Sequence, residues 1–544
     1  MSSKIEKTMK YLDNAHTFLP FFYFGQLQNG GKSLVITNHA ARKSIDYSTL
    51  HQEVTIVDIK YSSVENETNR TGKLAELQHF DARFDNVIID LSGKSPDEFV
   101  KIATDLLAPG GSLLILDWSH STGEAIKNMP MHLKSASDLR HLSGKVLDTL
   151  KKNQFQSQWY YLVDPDLKKP KYLVAPGFQT TVPASSDSGV KRWLVQRGAF
   201  YCQPHQRVIV AAKPDENGAV QPTLLDRIIA KTLRQPFSPE LRKHVRQIYI
   251  STTNILIIRL QVGNSDFFIR FPFTNEAIER LNAQNDTLNQ LSLNGIHAVP
   301  KPVEGIDADV PVFVETGVPG GSAEKQFREK NINIAREIYR EAQNSIQQVH
   351  QKTGQITVFD EYTHANQLKP KLDAIIHHIP EYAEHFLKIE SLLLDAFTRK
   401  KVLIALCHGD FKIGNCLFDK NRKLTGFIDW DMSEAAGMTL VDIASLAGKC
   451  LRLRNGFSLP DLVLKSDQLP KDFFAIYSNY FAETGTDEIP VYPAMLYYWV
   501  DRVYKQFVFD THLKALWVNQ NVLPVLHKFG AEPVSALKID HHNS

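Results

Sequence analysis

The chain is poor in cysteine, has no excess of charge of either sign and contains no long apolar run. Its 544 residues include four cysteines, whose spacing fits neither a zinc site nor a disulfide framework. A net charge of +2 without a basic block argues against a nucleic-acid partner. We therefore expect a reducing, cytoplasmic compartment and no nucleic-acid binding.

Apolar segments long enough for a membrane span are also lacking. The most apolar early stretch, Phe18–Phe24, is too short to cross a bilayer and contains a proline. No apolar segment of signal-peptide length precedes it. The sequence therefore predicts a protein without a membrane span.

What the chain does have is enough length for two to four domains. The segment 213–222 is polar and contains two prolines and a glycine, which is typical of a linker. We predict an α/β domain at 1–212, a second domain at 223–530 and a tail at 531–544.

The N-terminal part alternates apolar strands with helical patterns. Strands are predicted at 33–37, 53–58, 84–91 and 112–117, with a helix at 95–107 and later strands at 158–163 and 207–211. Continuous apolar strands separated by helices indicate a parallel sheet that is covered on both faces. The predicted fold class of this part is α/β.

The run Leu107-Ala-Pro-Gly-Gly-Ser-Leu-Leu-Ile-Leu-Asp117 and the strand order resemble class I S-adenosylmethionine-dependent methyltransferases. The resemblance implies a cofactor site at Asp58, where such enzymes bind the ribose hydroxyls. The turn at 37–42, however, has no glycine that would let a cofactor approach the backbone. We therefore expect a degenerate domain, with S-adenosylmethionine binding at Asp58 as the alternative.

The most informative stretch lies at 406–431. Asp410 and Asn415 have the D-x-x-x-x-N spacing of a kinase catalytic loop, and Asp429 ends an Ile-Asp-Trp-Asp run 19 positions after Asp410. Two short strands, 416–418 and 424–428, form a predicted hairpin between these groups. One carboxylate that orients a hydroxyl, together with an amide and a second carboxylate that hold Mg²⁺, suits phosphoryl transfer. The alternative is two polar turns beside a surface hairpin.

The pattern H-G-D-F-K-I-G-N … F-I-D-W-D … V-D-I-A-S-L resembles the aminoglycoside phosphotransferase and choline kinase family. The resemblance covers about residues 221–530 and implies an α+β, protein-kinase-like bilobal domain. It also implies Asp410 as the catalytic base, Asn415 and Asp429 as magnesium ligands, and His408 and Asp442 as residues that brace the loop.

Two further residues near the loop are candidates for contacts with the reacting groups. We expect Lys412 to contact the transferred phosphate or an acidic acceptor. Asp431 is a candidate for a second metal or a cationic substrate, with a surface position as the alternative.

Antiparallel strands predicted at 245–251, 254–262 and 266–273 suit the sheet that binds ATP. By the same resemblance, Ser251 and Asn254 flank the phosphate-covering turn, Arg270 meets phosphate and Glu315 lies in the strand that meets adenine. Gln284 takes the position at which the family has a glutamate partner for the strand-borne cation.

We expect an ATP- and Mg²⁺-dependent phosphotransferase that acts on a hydroxyl of a small molecule, with a sugar or surface-polysaccharide precursor as the favoured acceptor. Two alternatives remain at this point. One is a bifunctional methyltransferase and kinase, and the other is a non-catalytic nucleotide-binding scaffold.

Overall fold

A computed structural model describes residues 32–37, 53–58, 83–90, 97–117, 148–163, 172–174 and 207–219. From 222 to 530 it describes all residues except 252–254, 273, 307, 309, 329–330, 469 and 510–514. The predicted tail at 531–544 lies outside these residues.

The described residues form the following strands: β1 Lys32–Thr37, β2 Glu53–Asp58, β3 Phe84–Asp90, β4 Leu107–Asp117, β5 Gln156–Val163, β6 Tyr172–Val174, β7 Arg207–Ala212, β8 Val245–Ile250, β9 Ile255–Val262, β10 Ser265–Pro272, β11 Phe313–Thr316, β12 Gly321–Ser322, β13 Gln355–Val358, β14 Lys401–Cys407, β15 Cys416–Phe418, β16 Leu424–Phe427 and β17 Glu434–Met438.

The α-helices are α1 Asp97–Leu106, α2 Leu224–Leu233, α3 Asn275–Leu293, α4 Glu324–Arg328, α5 Ile332–Thr353, α6 Glu361–Gln367, α7 Lys369–His378, α8 Ala383–Phe397, α9 Leu440–Asn455, α10 Leu459–Leu464, α11 Lys471–Thr484, α12 Val491–Phe509, α13 Ala515–Asn521 and α14 Leu523–Lys528. Short 3-10 helices occur at Pro239–His244, Pro380–Tyr382, Ile413–Asn415 and Ser466–Gln468. None of the described helices is both long enough and apolar enough to cross a membrane.

The chain divides into two compact units. The first comprises Met1–Ile278 and Val303–Glu315, and the second comprises Glu279–Pro302 and Thr316–Ser544. The predicted linker at 213–222 lies within the first unit, and the domain boundary proposed there stays a prediction.

The first unit contains an 11-stranded sheet with the order β11-β10-β9-β8-β6-β5-β7-β4-β3-β1-β2. Strands β2, β1, β3 and β4 pair parallel, and β7 pairs antiparallel to β4. The parallel pairing agrees with the α/β prediction, whereas the methyltransferase-like identity of this part is not confirmed. Asp58 ends β2, but its side chain and the turn at 38–42 lie outside the described residues.

Strand β4 begins five residues earlier than predicted, directly after α1. The reason is visible at Gly111, where a Cβ atom would come within 2.8 Å of the Asp85 carbonyl oxygen. Glycine thus allows the Pro-Gly-Gly segment to continue beside β3 as part of the strand, although such a segment usually indicates a turn. The Lys213 ammonium donates to the carbonyl oxygens of Thr104 and Leu107 at the start of this strand, at 2.9 and 2.8 Å.

The second unit is mainly helical, with two small sheets, β12-β15-β16 and β13-β14-β17. Its core is rich in aromatic side chains, and on α12 the consecutive residues 494–500 are fully buried. A helix that is buried on all sides belongs to the interior of a large domain. The aromatic side chains of Tyr497, Tyr498 and Trp499 are therefore part of the core.

The helical stretch from Glu361 to Phe397 is divided among α6, α7 and α8. Pro370 lies in the first turn of α7, and Pro380 begins the 3-10 helix that precedes α8. A proline is tolerated at the start of a helix but interrupts a longer one, because it lacks an N–H donor.

Four buried or half-buried charges connect α7, α12 and β17, and we call them the balanced charge cluster: Lys371, Glu434, Asp501 and Lys505. The Lys371 ammonium lies 2.5 Å from an Asp501 oxygen and 3.1 Å from Glu434, and Lys505 lies 3.0 Å from each of the same two acids. Burial would raise the pKa of Asp501, but Lys371 and Lys505 lower this pKa to about 2. The two positive and two negative charges compensate each other.

We expect Asp501→Asn to lower the free energy of unfolding by about 3–5 kcal/mol, because two buried ammonium groups would lose a counter-charge. Asp373→Asn is the matched control, since Asp373 forms an exposed ion pair with Lys369 on α7. Such pairs contribute about 0–1 kcal/mol. Denaturant unfolding of both variants tests this, and equal losses would refute the assigned role of the cluster.

Candidate active site

The predicted catalytic loop follows β14 and makes an abrupt turn at Gly409. This residue has φ +79°, a conformation that favours glycine. A Cβ atom at Gly409 would lie 1.9 Å from the Met432 carbonyl oxygen, so the chain segments approach too closely for any side chain. The 3-10 helix Ile413–Asn415, β15 and β16 follow, and β15 pairs with β16 as the predicted hairpin.

Asp442, in the first turn of α9, holds the beginning of this loop. Its carboxylate accepts the backbone N–H groups of His408 and Gly409 at 2.7 and 2.8 Å, and His350 Nε2 lies 3.1 Å away. The other ring nitrogen of His350 lies 2.8 Å from the Tyr480 hydroxyl. Burial would raise the pKa of Asp442, but the hydrogen bond from His350 and the charge interactions with His350 and His408 lower this pKa. The carboxylate is therefore an anionic acceptor that fixes the loop.

His350, Cys407 and Asp442 are close enough to be considered as a metal site. The carboxylate already has the three donors described above, and burial raises the pKa of the Cys407 thiol well above its usual value. A thiol that keeps its proton is a poor metal ligand. We therefore assign a structural role to these three side chains.

His408 connects the loop to the end of the hairpin. Its Nε2 lies 3.0 Å from the Ile428 carbonyl oxygen, and its ring packs against Trp430 with centroids 4.5 Å apart. Ile428 directly precedes Asp429. His408 thus connects the loop to the residue before Asp429, and the bracing role that the resemblance implies stays a prediction.

The Asp410 side chain is largely buried and surrounded by three cations. Lys412 binds one carboxylate oxygen, and the other lies 3.2 Å from Arg502 and 4.0 Å from Lys449. Burial would raise the pKa of Asp410, but Arg502, Lys412 and Lys449 lower this pKa to about 2. Asp410 is therefore ionised at every pH at which a protein is normally assayed.

The predicted metal ligands lie beside this group. The Asn415 amide donates to the Asp410 carbonyl oxygen at 3.1 Å, and the Ile428 N–H donates to the Asn415 carbonyl oxygen at 3.0 Å. Asp429 has φ +72°, which is rare for a residue other than glycine and is often found at functional sites. Burial would lower the pKa of Lys412, but Asp410, with a smaller contribution from Asp429, raises it.

The acids after Asp429 have protein partners. Asp431 lies 3.8 Å from Arg280, and Glu434 belongs to the balanced charge cluster. Lys371 and Lys505 thus pair with Glu434 within the protein. The role suggested for Asp431 stays a prediction.

Sequence reasoning missed Lys449 and Arg502. Lys449 lies on α9, 39 positions after Asp410, and Arg502 lies on α12, 92 positions after it. Nothing in the local sequence of either residue distinguishes it from a surface cation. Only the packing of the two helices brings them to Asp410.

The predicted nucleotide residues belong to the first unit. Arg270 on β10 forms an ion pair with Glu315 on β11, with distances of 2.6 and 3.2 Å to one carboxylate oxygen. The acid partner that the structure gives Arg270 is thus Glu315, rather than one of the acids early in α3. Ser251 closes the turn after β8, since its N–H donates to the Ile255 carbonyl and its hydroxyl accepts the Ile255 N–H. Asn254 lies outside the described residues.

Gly409→Ala should destabilise the second unit more than Gly456→Ala, although both glycines have positive φ. The left-handed conformation costs alanine about 1–2 kcal/mol at either position. At Gly409 the collision with Met432 adds about 1–3 kcal/mol, whereas a Cβ at Gly456 meets no atom within 4 Å. Denaturant unfolding measures the difference, and equal costs would contradict the close approach at Gly409.

Comparison with known proteins finds one matching family and several similar solved structures. Residues 253–459 match the phosphotransferase enzyme family. Among solved structures, an aminoglycoside phosphotransferase from Streptomyces rimosus is 13% identical in sequence to this chain. The aligned part covers 46% of this chain and 89% of the Streptomyces chain, with a TM-score of 0.32. Macrolide 2'-phosphotransferase type I is 12% identical in sequence. The aligned part covers 58% of this chain and 99% of the macrolide phosphotransferase chain, with a TM-score of 0.34.

No curated protein sequence matches the chain. The family match includes the catalytic loop, Arg270 and Glu315, and it confirms the prediction of a small-molecule kinase at the level of the family. Residues 253–459 of this chain form a domain of the phosphotransferase enzyme family.

Proposed function

We propose that the chain transfers a phosphoryl group from ATP to a hydroxyl of a small molecule, with Asp410 as the residue that receives the hydroxyl. The observation that carries this proposal is the position of the Asp410 carboxylate. It follows a loop that Asp442 fixes through two backbone N–H groups, and it adjoins Asn415 and the end of the hairpin before Asp429.

The donor set near Asp410 fits magnesium. Asn415 and Asp429 offer an amide oxygen and a carboxylate, which are the hard oxygen ligands that Mg²⁺ prefers. The hydrogen bond from the Asn415 amide nitrogen to the Asp410 carbonyl fixes the plane of that amide. When bound, magnesium would neutralise charge on the ATP phosphates.

A carboxylate with a pKa of about 2 is a weak base. We infer that Asp410 chiefly accepts a hydrogen bond from the acceptor hydroxyl and holds its oxygen in line with the phosphorus. Orientation of this kind supplies much of the catalysis in phosphoryl transfer. Lys412, which binds Asp410, is the nearest loop cation for the transferred phosphate.

For the nucleotide we propose Ser251, Asn254, Arg270 and Glu315 as contributors from the first unit. The Glu315 side chain forms an ion pair with Arg270 and so fixes the position of the guanidinium on β10. We therefore propose that Glu315 contributes to the nucleotide site by positioning Arg270, and that the backbone of β11 contacts the base. S-adenosylmethionine binding at Asp58 is not part of the proposal, since the turn after β1 has no glycine.

Mg-ATP should raise the melting temperature of the wild type but not that of Asp429→Asn. A ligand at 100 times its dissociation constant stabilises a protein by about 2.7 kcal/mol. Asp395→Asn is the matched control, because Asp395 is an exposed acid on α8. Flat curves for the wild type, or an unchanged shift in Asp429→Asn, would contradict the metal site.

Asp410→Asn should keep the Mg-ATP shift and lose turnover by about 10²–10⁴-fold, since the hydroxyl would lose its anionic acceptor. Phosphoryl transfer to water or to an accepted alcohol, followed as ADP release, gives the rate. A wild type that binds Mg-ATP without any turnover would favour the scaffold, and equal rates would exclude Asp410 from the reaction.

A further inference from the structure

We propose that the acceptor alcohol carries a carboxylate or phosphate group, and that Lys449 and Arg502 bind this anion beside Asp410. This inference rests on the proposed function, because it assumes that Asp410 receives the acceptor hydroxyl. It assigns a binding role to two residues on helices outside the catalytic loop.

The first argument is position. Lys449 and Arg502 both face the same Asp410 oxygen, at 4.0 and 3.2 Å, while Lys412 binds the other oxygen. A hydroxyl that reaches the Asp410 carboxylate therefore arrives within a few ångströms of both cations. An anionic group on the same molecule would then lie within reach of their donors.

The second argument is charge. Three cations lie against the Asp410 carboxylate, and Arg452 adds a further positive charge near Lys449. Asp429 also acts on Lys412, and Asp431 and Asp501 act on Arg502. Burial lowers the pKa of Lys449 to about 8, with Arg502, Lys412 and Arg452 acting in the same direction against Asp410. Like charges that repel one another are destabilising unless an anion compensates them. A cationic acceptor would meet this repulsion directly.

The balanced charge cluster gives the contrast. Its two ammonium groups lie within 3.1 Å of two acids, and Lys505 is only 2% exposed. The Lys449 and Arg502 side chains instead retain 21% and 17% exposure. Lys449 and Arg502 are thus more exposed than the two cations of the cluster, Lys371 and Lys505, whose side chains retain 8% and 2% exposure.

The third argument is chemistry. The planar guanidinium of Arg502 suits two-pronged binding of a carboxylate or phosphate, and the Lys449 ammonium adds a point charge. The other source of such a group is the γ-phosphate of ATP. We assign the anion at Lys449 and Arg502 to the acceptor, because in the proposed function Lys412 and the metal ligands of the loop already bind the nucleotide phosphate.

The test uses one sugar scaffold with different charges: glucosamine, glucose, glucuronate and glucose 6-phosphate. Wild type, Lys449→Gln and Arg502→Gln are each saturated with magnesium and a non-hydrolysable ATP analogue at constant ionic strength. Stabilisation against heat then gives the apparent affinity for each sugar. Lys465→Gln is the matched control, because Lys465 is a half-exposed lysine paired with Asp461 on α10.

We expect the two anionic sugars to bind the wild type at least about tenfold more tightly than glucosamine, the change that about 1.4 kcal/mol produces. Arg502→Gln and Lys449→Gln should each lose about tenfold or more of that affinity, consistent with charge-assisted hydrogen bonds. Arg502→Lys should retain part of it, and Lys465→Gln should behave as the wild type. The melting temperature of each variant without ligand shows whether it is folded.

Equal binding of glucosamine and the anionic sugars, or no binding of the anionic sugars to a nucleotide-loaded wild type, would overturn the inference. It would also fail if Arg502→Gln and Lys449→Gln weakened the ATP analogue instead of the sugars, because the cations would then serve the nucleotide. If the wild type bound no Mg-nucleotide, the proposed function would fail separately, and the sugar titration without nucleotide would still decide the charge preference.

Discussion

The carboxylate of Asp442 is the interaction on which the site depends. It accepts the N–H groups of His408 and Gly409 immediately before Asp410, so the loop cannot move independently of α9. Lys505 holds the same turn from another direction, because its ammonium donates to the Gly409 carbonyl oxygen at 3.0 Å. Both polar groups of the Gly409 backbone are therefore bound to charged side chains of the helical unit. The role proposed for Asp410 needs this rigidity, because a small displacement of a catalytic group costs much of the rate.

The loop was predictable because its function requires contiguous residues at fixed spacing. His408, Asp410, Asn415 and Asp429 could be identified from sequence, and the hairpin between them followed from turn residues and apolar runs. Most strands of the first unit were predicted to within a few residues for the same reason, since period and turn chemistry are local. In the second unit only the two strands of the hairpin were predicted. Strand β4 departed from prediction because a glycine next to β3 permits a close approach that is a tertiary property.

Side-chain partners across long separations could not be predicted. Arg270 pairs with Glu315, 45 positions away, because β10 and β11 are neighbours in the sheet. Glu434 pairs with two lysines from different helices, 63 and 71 positions away. In each case the residue type was informative, but its partner depended on how the elements pack. Sequence therefore located the reacting groups better than the charges that surround them.

The charges around Gly409 and Asp410 fall into two groups, one that stabilises the fold and one that is proposed to bind the acceptor. The balanced charge cluster fixes Gly409 and leaves no net charge, so its contribution is structural. One residue further along the chain, Asp410 contacts three cations whose side chains remain partly exposed. Because repulsion between neighbouring cations is costly, their convergence on a carboxylate that is proposed to receive the acceptor supports a ligand that brings negative charge. The turn at Gly409 thus connects the balanced charge cluster, which stabilises the fold, to Asp410 and the cations that are proposed to bind the acceptor.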